Sequence, residues 1–161
     1  MATVINTPRF KGIQIQPEKI FVFPQGIIGF EAARDFVLID RGNGNSFLWL
    51  QSLKNPDLCF LLIEPEKVID AYHPELSSQD RIMLEASNGK DVTFLNLVTV
   101  DESHENIYIN LKSPIAINSE KRIGIQVILE DERYPVRHQL TTRLKSSGNA
   151  KKLEKSVVKA G

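Results

Sequence analysis

The stretch Ile107-Tyr-Ile-Asn-Leu-Lys-Ser-Pro-Ile-Ala-Ile-Asn-Ser-Glu-Lys-Arg-Ile-Gly-Ile-Gln-Val-Ile-Leu129 decides the fold. Ile107, Ile109 and Leu111 share one side of an extended chain, with Tyr108 and Asn110 on the other. Ile123, Ile125, Val127 and Leu129 likewise oppose Gly124, Gln126 and Ile128. Successive side chains of a strand alternate between faces, so this pattern reads as half-buried strands of an antiparallel sheet. The polar run Asn118-Ser-Glu-Lys-Arg122 lies between two apolar runs and predicts a hairpin.

Outward from there, short runs of Ile, Val, Phe and Leu recur between Gly, Pro, Asn, Asp and Ser. They predict strands at Ile13–Ile15, Ile20–Phe23, Phe36–Ile39, Phe47–Leu50, Leu58–Ile63, Val92–Val100, Ile107–Leu111, Ile115–Ile117 and Ile123–Leu129. One helix is expected. Ser77 caps it, Asp80 stands in for the capping-box Glu, Ile82, Met83 and Ala86 give it an apolar side, and Asn88-Gly89 ends it. A short helical turn is expected around Glu31 to Arg34. Many strands with so little helix predict an all-β fold with minor α: a single-domain, closed or nearly closed antiparallel β-barrel with one short helix inserted. The barrel domain spans residues 1–140, and residues 141–161 read as a basic, flexible tail.

The chain has 161 residues, enough to bury a core without covalent staples. Cys59 is its one cysteine, which excludes an internal disulfide. No basic start followed by an apolar run marks a secretory signal, so a cytoplasmic location is expected. The 20 basic and 20 acidic residues balance, but unevenly. From Thr141 onward there are six basic residues and one acid, a net +5, which leaves −5 on Met1 to Leu140. An acidic body disfavours general binding to nucleic-acid phosphates and suits a basic partner, although such a charge also simply aids solubility.

The search for chemistry finds little. His73, His104 and His138 lie far apart in sequence, and no His-x-x-x-His or paired cysteine offers a metal site. Cys59, inside Leu58-Cys-Phe-Leu-Leu-Ile63, reads as a small core residue. There is no Gly-x-Ser-x-Gly elbow, and Arg41-Gly-Asn-Gly-Asn45 precedes a strand, where a phosphate loop would need a helix. Asp101-Glu-Ser-His-Glu105 and Glu130-Asp-Glu132 are acidic clusters in loops, ordinarily solvated and otherwise suited to a basic partner. Pro24, Gly26 and Gly29 break regular structure around large apolar residues, Ile27, Ile28 and Phe30. Such a loop either folds onto the core or offers its side chains to a partner, and core is favoured. Core is favoured for Trp49 too, although Trp is enriched in interfaces; Asn55-Pro56-Asp57 signals the turn that follows it.

Several segments, in order, resemble the flagellar assembly factor family FliW. They are Ile20-Phe-Val-Phe-Pro-Gln-Gly-Ile-Ile-Gly-Phe-Glu31, Phe36-Val-Leu-Ile39, Phe47-Leu-Trp-Leu-Gln-Ser-Leu-Lys-Asn-Pro-Asp-Leu-Cys-Phe60, Asp91-Val-Thr-Phe-Leu-Asn-Leu-Val-Thr-Val100, Ile107 to Asn118, and Gly124-Ile-Gln-Val-Ile-Leu129 with Tyr134-Pro-Val-Arg-His138. The family pattern commonly carries Glu where this chain has Gln25 and Pro where it has Ile28, and residues after Leu140 find no counterpart in it. The resemblance implies a barrel-like β fold, a monomer without enzyme activity or cofactor, and two protein partners. One is flagellin, held in the cytoplasm before export. The other is CsrA, a small basic RNA-binding dimer that represses flagellin translation and is inhibited through its C-terminal part. The implied function is antagonism of CsrA, which relieves repression of flagellin mRNA.

Under this reading the expected partner-binding residues are Phe23, Pro24, Gly26, Ile28, Gly29, Phe30, Trp49, Gln51, Asn55, Pro56 and Leu58, with Glu102, Glu105, Asp131 and Glu132 steering CsrA. Two rivals stand beside it. A small-molecule-binding or catalytic β-barrel needs a pocket with converging polar groups, for which Asn96, Asn110 and Asn118 are the candidates. An OB-like nucleic-acid binder needs exposed aromatics among basic residues, which the body does not show.

Overall fold

The computed structural model of the chain describes residues 3–42, 46–87, 91–103 and 105–140. Strands β1 (Thr3–Asn6) and β2 (Lys11–Ile15) form a separate hairpin. Then come β3 (Ile20–Val22), β4 (Asp35–Ile39), β5 (Phe47–Ser52), β6 (Cys59–Ile63), the helix α1 (Ser78–Met83) and β7 (Val92–Val100). They are followed by β8 (Ile107–Ile109), β9 (Ile115–Asn118), β10 (Ile123–Gln126) and β11 (His138–Leu140). Seven strands close a barrel in the order β7-β6-β5-β4-β3-β10-β9, with β9 returning to β7. Closure uses the nine-residue length of β7: its first part pairs with β9, Val92↔Asn118 to Leu95↔Ile115, and its last part with β8, Val98↔Ile109 to Val100↔Ile107. β11 extends that flap beyond β8.

The barrel is antiparallel except at one seam. β3 and β10 run parallel, joined at Ile123↔Val22, which corrects the wholly antiparallel expectation. The odd number of strands imposes this: seven strands that otherwise alternate in direction leave one neighbouring pair parallel when the ring closes.

Two strands outside the alternating segments Ile107–Leu111 and Ile123–Leu129 are buried throughout: all six residues of β5 and all four of β9. The barrel interior holds Phe21, Phe23, Ile27, Phe36, Leu48, Leu50, Leu62, Leu95, Ile115 and Ile117. The outward residues Val37, Ile39, Trp49, Leu61 and Ala116 are covered by a second layer that includes Phe10 and Ile15 of the hairpin, Leu84, Ala86 and Tyr134. A barrel sandwiched in this way gives strands apolar on both faces, as in Phe47-Leu-Trp-Leu50. Alternation survives at β10, where Ile125 packs outward and Gly124 inward beneath the Phe23 ring.

The capping box forms in full: Asp80 N–H donates to Ser77 Oγ at 3.1 Å, and Ser77 N–H donates to Asp80 Oδ2 at 3.0 Å. The helix is shorter than its apolar residues suggested. Ile82 is 76 % exposed, and the anchoring side chains are Leu84 and Ala86 beyond the last turn. Around Glu31 to Arg34 the chain makes turns without a helix, closed by Ala33 N–H to the Phe30 carbonyl. The expected hairpin at Asn118–Arg122 is present, with Asn118 Oδ1 accepting from the N–H groups of Glu120 and Lys121. Asn88-Gly89, Asn43 to Asn45, His104 and residues 141–161 lie outside the described residues.

Candidate functional site: an acidic groove beside an apolar loop

The loop after β3 plugs one end of the barrel. Gly26 N–H donates to the Phe23 carbonyl at 2.9 Å and Phe30 N–H to the Ile27 carbonyl at 2.6 Å, so two tight turns follow one another. Gly26, at φ +67°, is also held for space: a Cβ there would meet the Glu31 backbone at 2.6 Å. Gly29, at φ +88°, sits third in the Ile27–Phe30 turn, the position that needs positive φ in a type II turn. The result divides the apolar residues of the loop. Ile27 is buried in the barrel, while Ile28 is 56 % and Phe30 45 % exposed. Phe30 continues a ladder of rings from the interior, Phe23 to Phe36, Phe36 to Phe60 and Phe60 to Phe30, with centroids 5.3, 6.1 and 5.3 Å apart.

The loop is tied to β10 by a side chain. Ile28 N–H donates to Gln126 Oε1 at 2.9 Å, and Gln126 Nε2 donates to the Ser113 carbonyl at 3.3 Å. A proline at position 28 has no N–H to give, so this tie needs a residue other than proline there, and the chain carries isoleucine. Gln126 also lines an open groove of about 1050 Å³ between the start of α1 and the segment from Gln126 to Tyr134. Leu76, Met83 and Ile128 give the groove apolar walls, and Ile128 is 63 % exposed. Glu75, Asp80, Glu130 and Asp131 give it four acids against one arginine, Arg133, and one histidine, His73. Asp131 and Arg133 pair at 2.6 Å, and the Arg133 hydrogen bonds hold the Asp131 carboxyl down to about 2. Glu75, Asp80 and Glu130 enter none of the ion pairs among the described residues.

The other expected contact residues are distributed as follows. Phe23 lies inside the barrel, and Leu58 is also buried; Pro24 is exposed. Trp49 is 6 % exposed in the outer layer, with Phe10 edge-on at 6.1 Å and the Arg9 guanidinium 4.3 Å above its ring. Gln51 is fully buried and braces the β5–β6 turn by donating to the carbonyls of Ser52, Pro56 and Leu58. Asn55 and Pro56 are exposed at that turn. The acids divide between two places. Glu102 and Glu105 sit in the loop at the Val100–Ile107 end of the β7–β8 pair. Asp131 and Glu132 lie towards the other end of β8, where Leu111 N–H donates to the Pro135 carbonyl. Sequence reasoning missed Gln126, Ile128, Glu75 and the groove itself. Its available signal was Ile128, an apolar side chain on the side of the strand that Gln126 marks as polar.

The three asparagines weighed for a ligand pocket serve the framework. Asn96 donates to Tyr72 Oη and the Asn110 carbonyl, Asn110 Oδ1 accepts from Ser113 N–H, and Asn118 donates to the Leu84 carbonyl. The cavity at the opposite barrel mouth, about 200 Å³ among Leu38, Leu48, Leu95 and Ile117 with Lys19 and Asp40 at its rim, contains none of them. Among the described residues, no three His, Cys, Asp or Glu side chains converge to hold a metal, and no helix is long and apolar enough to cross a membrane.

Comparison with known proteins agrees with this architecture. Residues 3–140 match the family described as FliW protein. The chain is 35 % identical over 137 residues to the flagellar assembly factor FliW of Natranaerobius thermophilus, covering 84 % of this chain and 91 % of that one. It is 34 % identical over 162 aligned positions to that of Geotalea uraniireducens, covering 98 % and 99 %. The Geotalea match therefore continues into residues 141–161, for which the family pattern offered no counterpart. A solved structure described as the crystal structure of the flagellar assembly factor FliW superposes with a TM-score of 0.78 at 34 % identity, covering 88 % of this chain and 99 % of its own. Family match, identity over most of both chains and shared barrel together show that this chain belongs to the FliW family of flagellar assembly factors.

Proposed function

We propose that this chain works by surface recognition in the cytoplasm: it binds flagellin and, when free, captures CsrA and relieves repression of flagellin mRNA translation, without catalysis. The observation that carries the proposal is the continuity of the groove with the apolar loop. Gln126 belongs to both: it accepts from Ile28 N–H in the loop that also exposes Phe30, and with exposed Ile128 it lines a trough that holds Glu75, Asp80 and Glu130. An apolar anchor beside a one-sign field suits a basic protein. Apolar contacts supply affinity, and the acids steer encounter. Glu102, Glu105 and Glu132 add to the negative field from outside the groove. Two ligands competing for one protein make a switch by mass action alone, with no conformational change required.

The test is co-purification with CsrA and with flagellin, each added as competitor of the other. Expected is capture of both, mutual displacement, and a CsrA association rate that falls as salt rises. Ile28→Asp with Phe30→Ser should weaken capture while leaving the far-ultraviolet circular dichroism unchanged. Normal folding with full affinity for both partners would remove the apolar loop from the interface. Association indifferent to ionic strength would remove the acids.

A further inference from the structure

We propose that residues 141–161 of this same chain dock in the acidic groove, as an intramolecular ligand that a basic partner must displace. The proposal rests on the reading of the groove as a docking surface and adds its regulation. Charge complementarity is the first argument. The groove presents Glu75, Asp80 and Glu130 outside any ion pair among the described residues, whereas residues 141–161 carry six basic side chains and one acid.

Shape chemistry is the second. The groove walls include Leu76, Met83 and Ile128, and Leu144, Leu153, Val157 and Val158 are the large apolar residues set among the basic side chains of the segment.

The path of the chain is the third. It leaves the groove wall at Tyr134 and reaches Leu140, opposite Ile107, six residues later, a span of at most about 20 Å at ~3.3 Å per residue. The 21 residues of segment 141–161 span up to about 70 Å when extended, so the return is well within reach. A tethered ligand of this kind competes at an effective concentration in the mM range.

The acidic loop Asp101–Glu105 lies closer to Leu140, but it is a poorer host. The Asp101 carboxylate already accepts from Ser103 Oγ and from Asn106 Nδ2, at 2.8 and 2.6 Å, and the sequence Asp101-Glu-Ser-His-Glu105 supplies no apolar side chain.

A nitroxide placed through Ser156→Cys in the full chain tests this, since Cys59 is buried and escapes labelling. Expected is loss of most of the amide peak height at Glu75, Leu76, Ile128 and Glu130, with the β1–β2 hairpin unaffected. About 1 M salt, where the screening length is ~3 Å, should restore the peaks. Reversal of Lys151, Lys152, Lys155 and Lys159 to Glu should restore them too, and should tighten CsrA binding several-fold. Broadening confined to Asp101–Glu105 overturns the proposal, as does broadening seen only between separately labelled copies, or none at all. The two readings fail separately. If the groove peaks broaden but Glu75→Lys with Glu130→Lys leaves CsrA binding intact, the segment docks and the partner assignment falls. If those changes abolish CsrA capture without any broadening, only the intramolecular docking falls.

Discussion

Gly124→Ala should destabilise this barrel although glycine is ordinarily a poor strand residue. The backbone at Gly124 lies outside the positive-φ region, so alanine meets no conformational objection there. Its Cβ, however, would stand 2.4 Å from Phe23 Cζ and 2.7 and 2.8 Å from the two Cε atoms. Carbon atoms settle at about 3.5–4.0 Å, so the ring tip must retreat by roughly 1 Å or more. It has nowhere to go: Phe23 is fully buried and Phe36 packs edge-on against it at 5.3 Å. Overpacking of this kind costs about 1–3 kcal/mol. Removing glycine from a strand returns roughly 0.5–1 kcal/mol of chain entropy. At the middle of both ranges the net loss is about 1 kcal/mol, a fall in Tm on the order of 3–5 °C for a domain of this size. Calorimetry on Gly124→Ala, Phe23→Leu and the double variant measures it. Leucine at 23 vacates the space the methyl needs, so the double variant should be more stable than the sum of the two losses by about 1 kcal/mol. A Tm within about 1 °C of the parent for Gly124→Ala, or strict additivity, would refute the steric account of this glycine.

Gly26→Ala combines strained φ with a clash against the Glu31 backbone; it should cost about 1–3 kcal/mol and weaken partner capture, measured by calorimetry and pull-down on the same sample. Tyr72→Phe removes a 2.7 Å bond to the Leu111 carbonyl and a 3.0 Å bond from Asn96; chemical denaturation should show a loss of about 1–3 kcal/mol with the m-value unchanged. Burial pushes the Cys59 thiol up to about 12; it should resist a disulfide reagent at pH 8 until denaturant is added, and prompt reaction in buffer would contradict its packing. The Arg133 hydrogen bonds depress the Asp131 carboxyl to about 2. A depressed folded pKa gives a contribution complete above the ordinary value of about 4 and lost as pH falls towards about 2. Carboxyl carbon NMR should place the midpoint there, and Arg133→Ala should raise it while leaving Asp101 alone.

Much of the barrel was legible because its strands are bounded by residues with strong backbone preferences. Asn118-Ser-Glu-Lys-Arg122 and Ser77 to Asp80 announced their own hydrogen bonds, and both form as read. Strands β1 and β11 were not legible: Thr-Val-Ile-Asn and His-Gln-Leu are short and rich in polar residues, and the partner of β11, β8, is distant in sequence. The parallel seam was invisible for the same reason. The apolar loop was readable in part. Its glycines marked turns, but only the turn geometry sends Ile27 inward while leaving Ile28 and Phe30 exposed. The groove was hidden because its walls come from two segments about 50 residues apart in the chain, and no local pattern encodes their meeting.

The seam links these observations to recognition. Between β3 and β10 the backbone ladder provides one pairing, Ile123↔Val22. Beyond it, two side chains continue the closure: the Phe23 ring lies over Gly124, and the Gln126 amide spans from Ile28 N–H to the Ser113 carbonyl. Where a sheet is closed by side chains, its rim is shaped by residue choice, and point substitution can alter it without breaking a ladder. Gln126→Ala leaves the interior untouched but frees Ile28 N–H and detaches the loop from the groove wall. Because that bond is exposed, its removal should cost less than about 1 kcal/mol of stability. The effect on capture should be larger, since an anchor that is not held in place loses ordering entropy on binding. If Gln126→Ala weakened partner binding no more than it weakened folding, the loop and the groove would be two independent surfaces, and their contact at Gln126 would have no part in recognition.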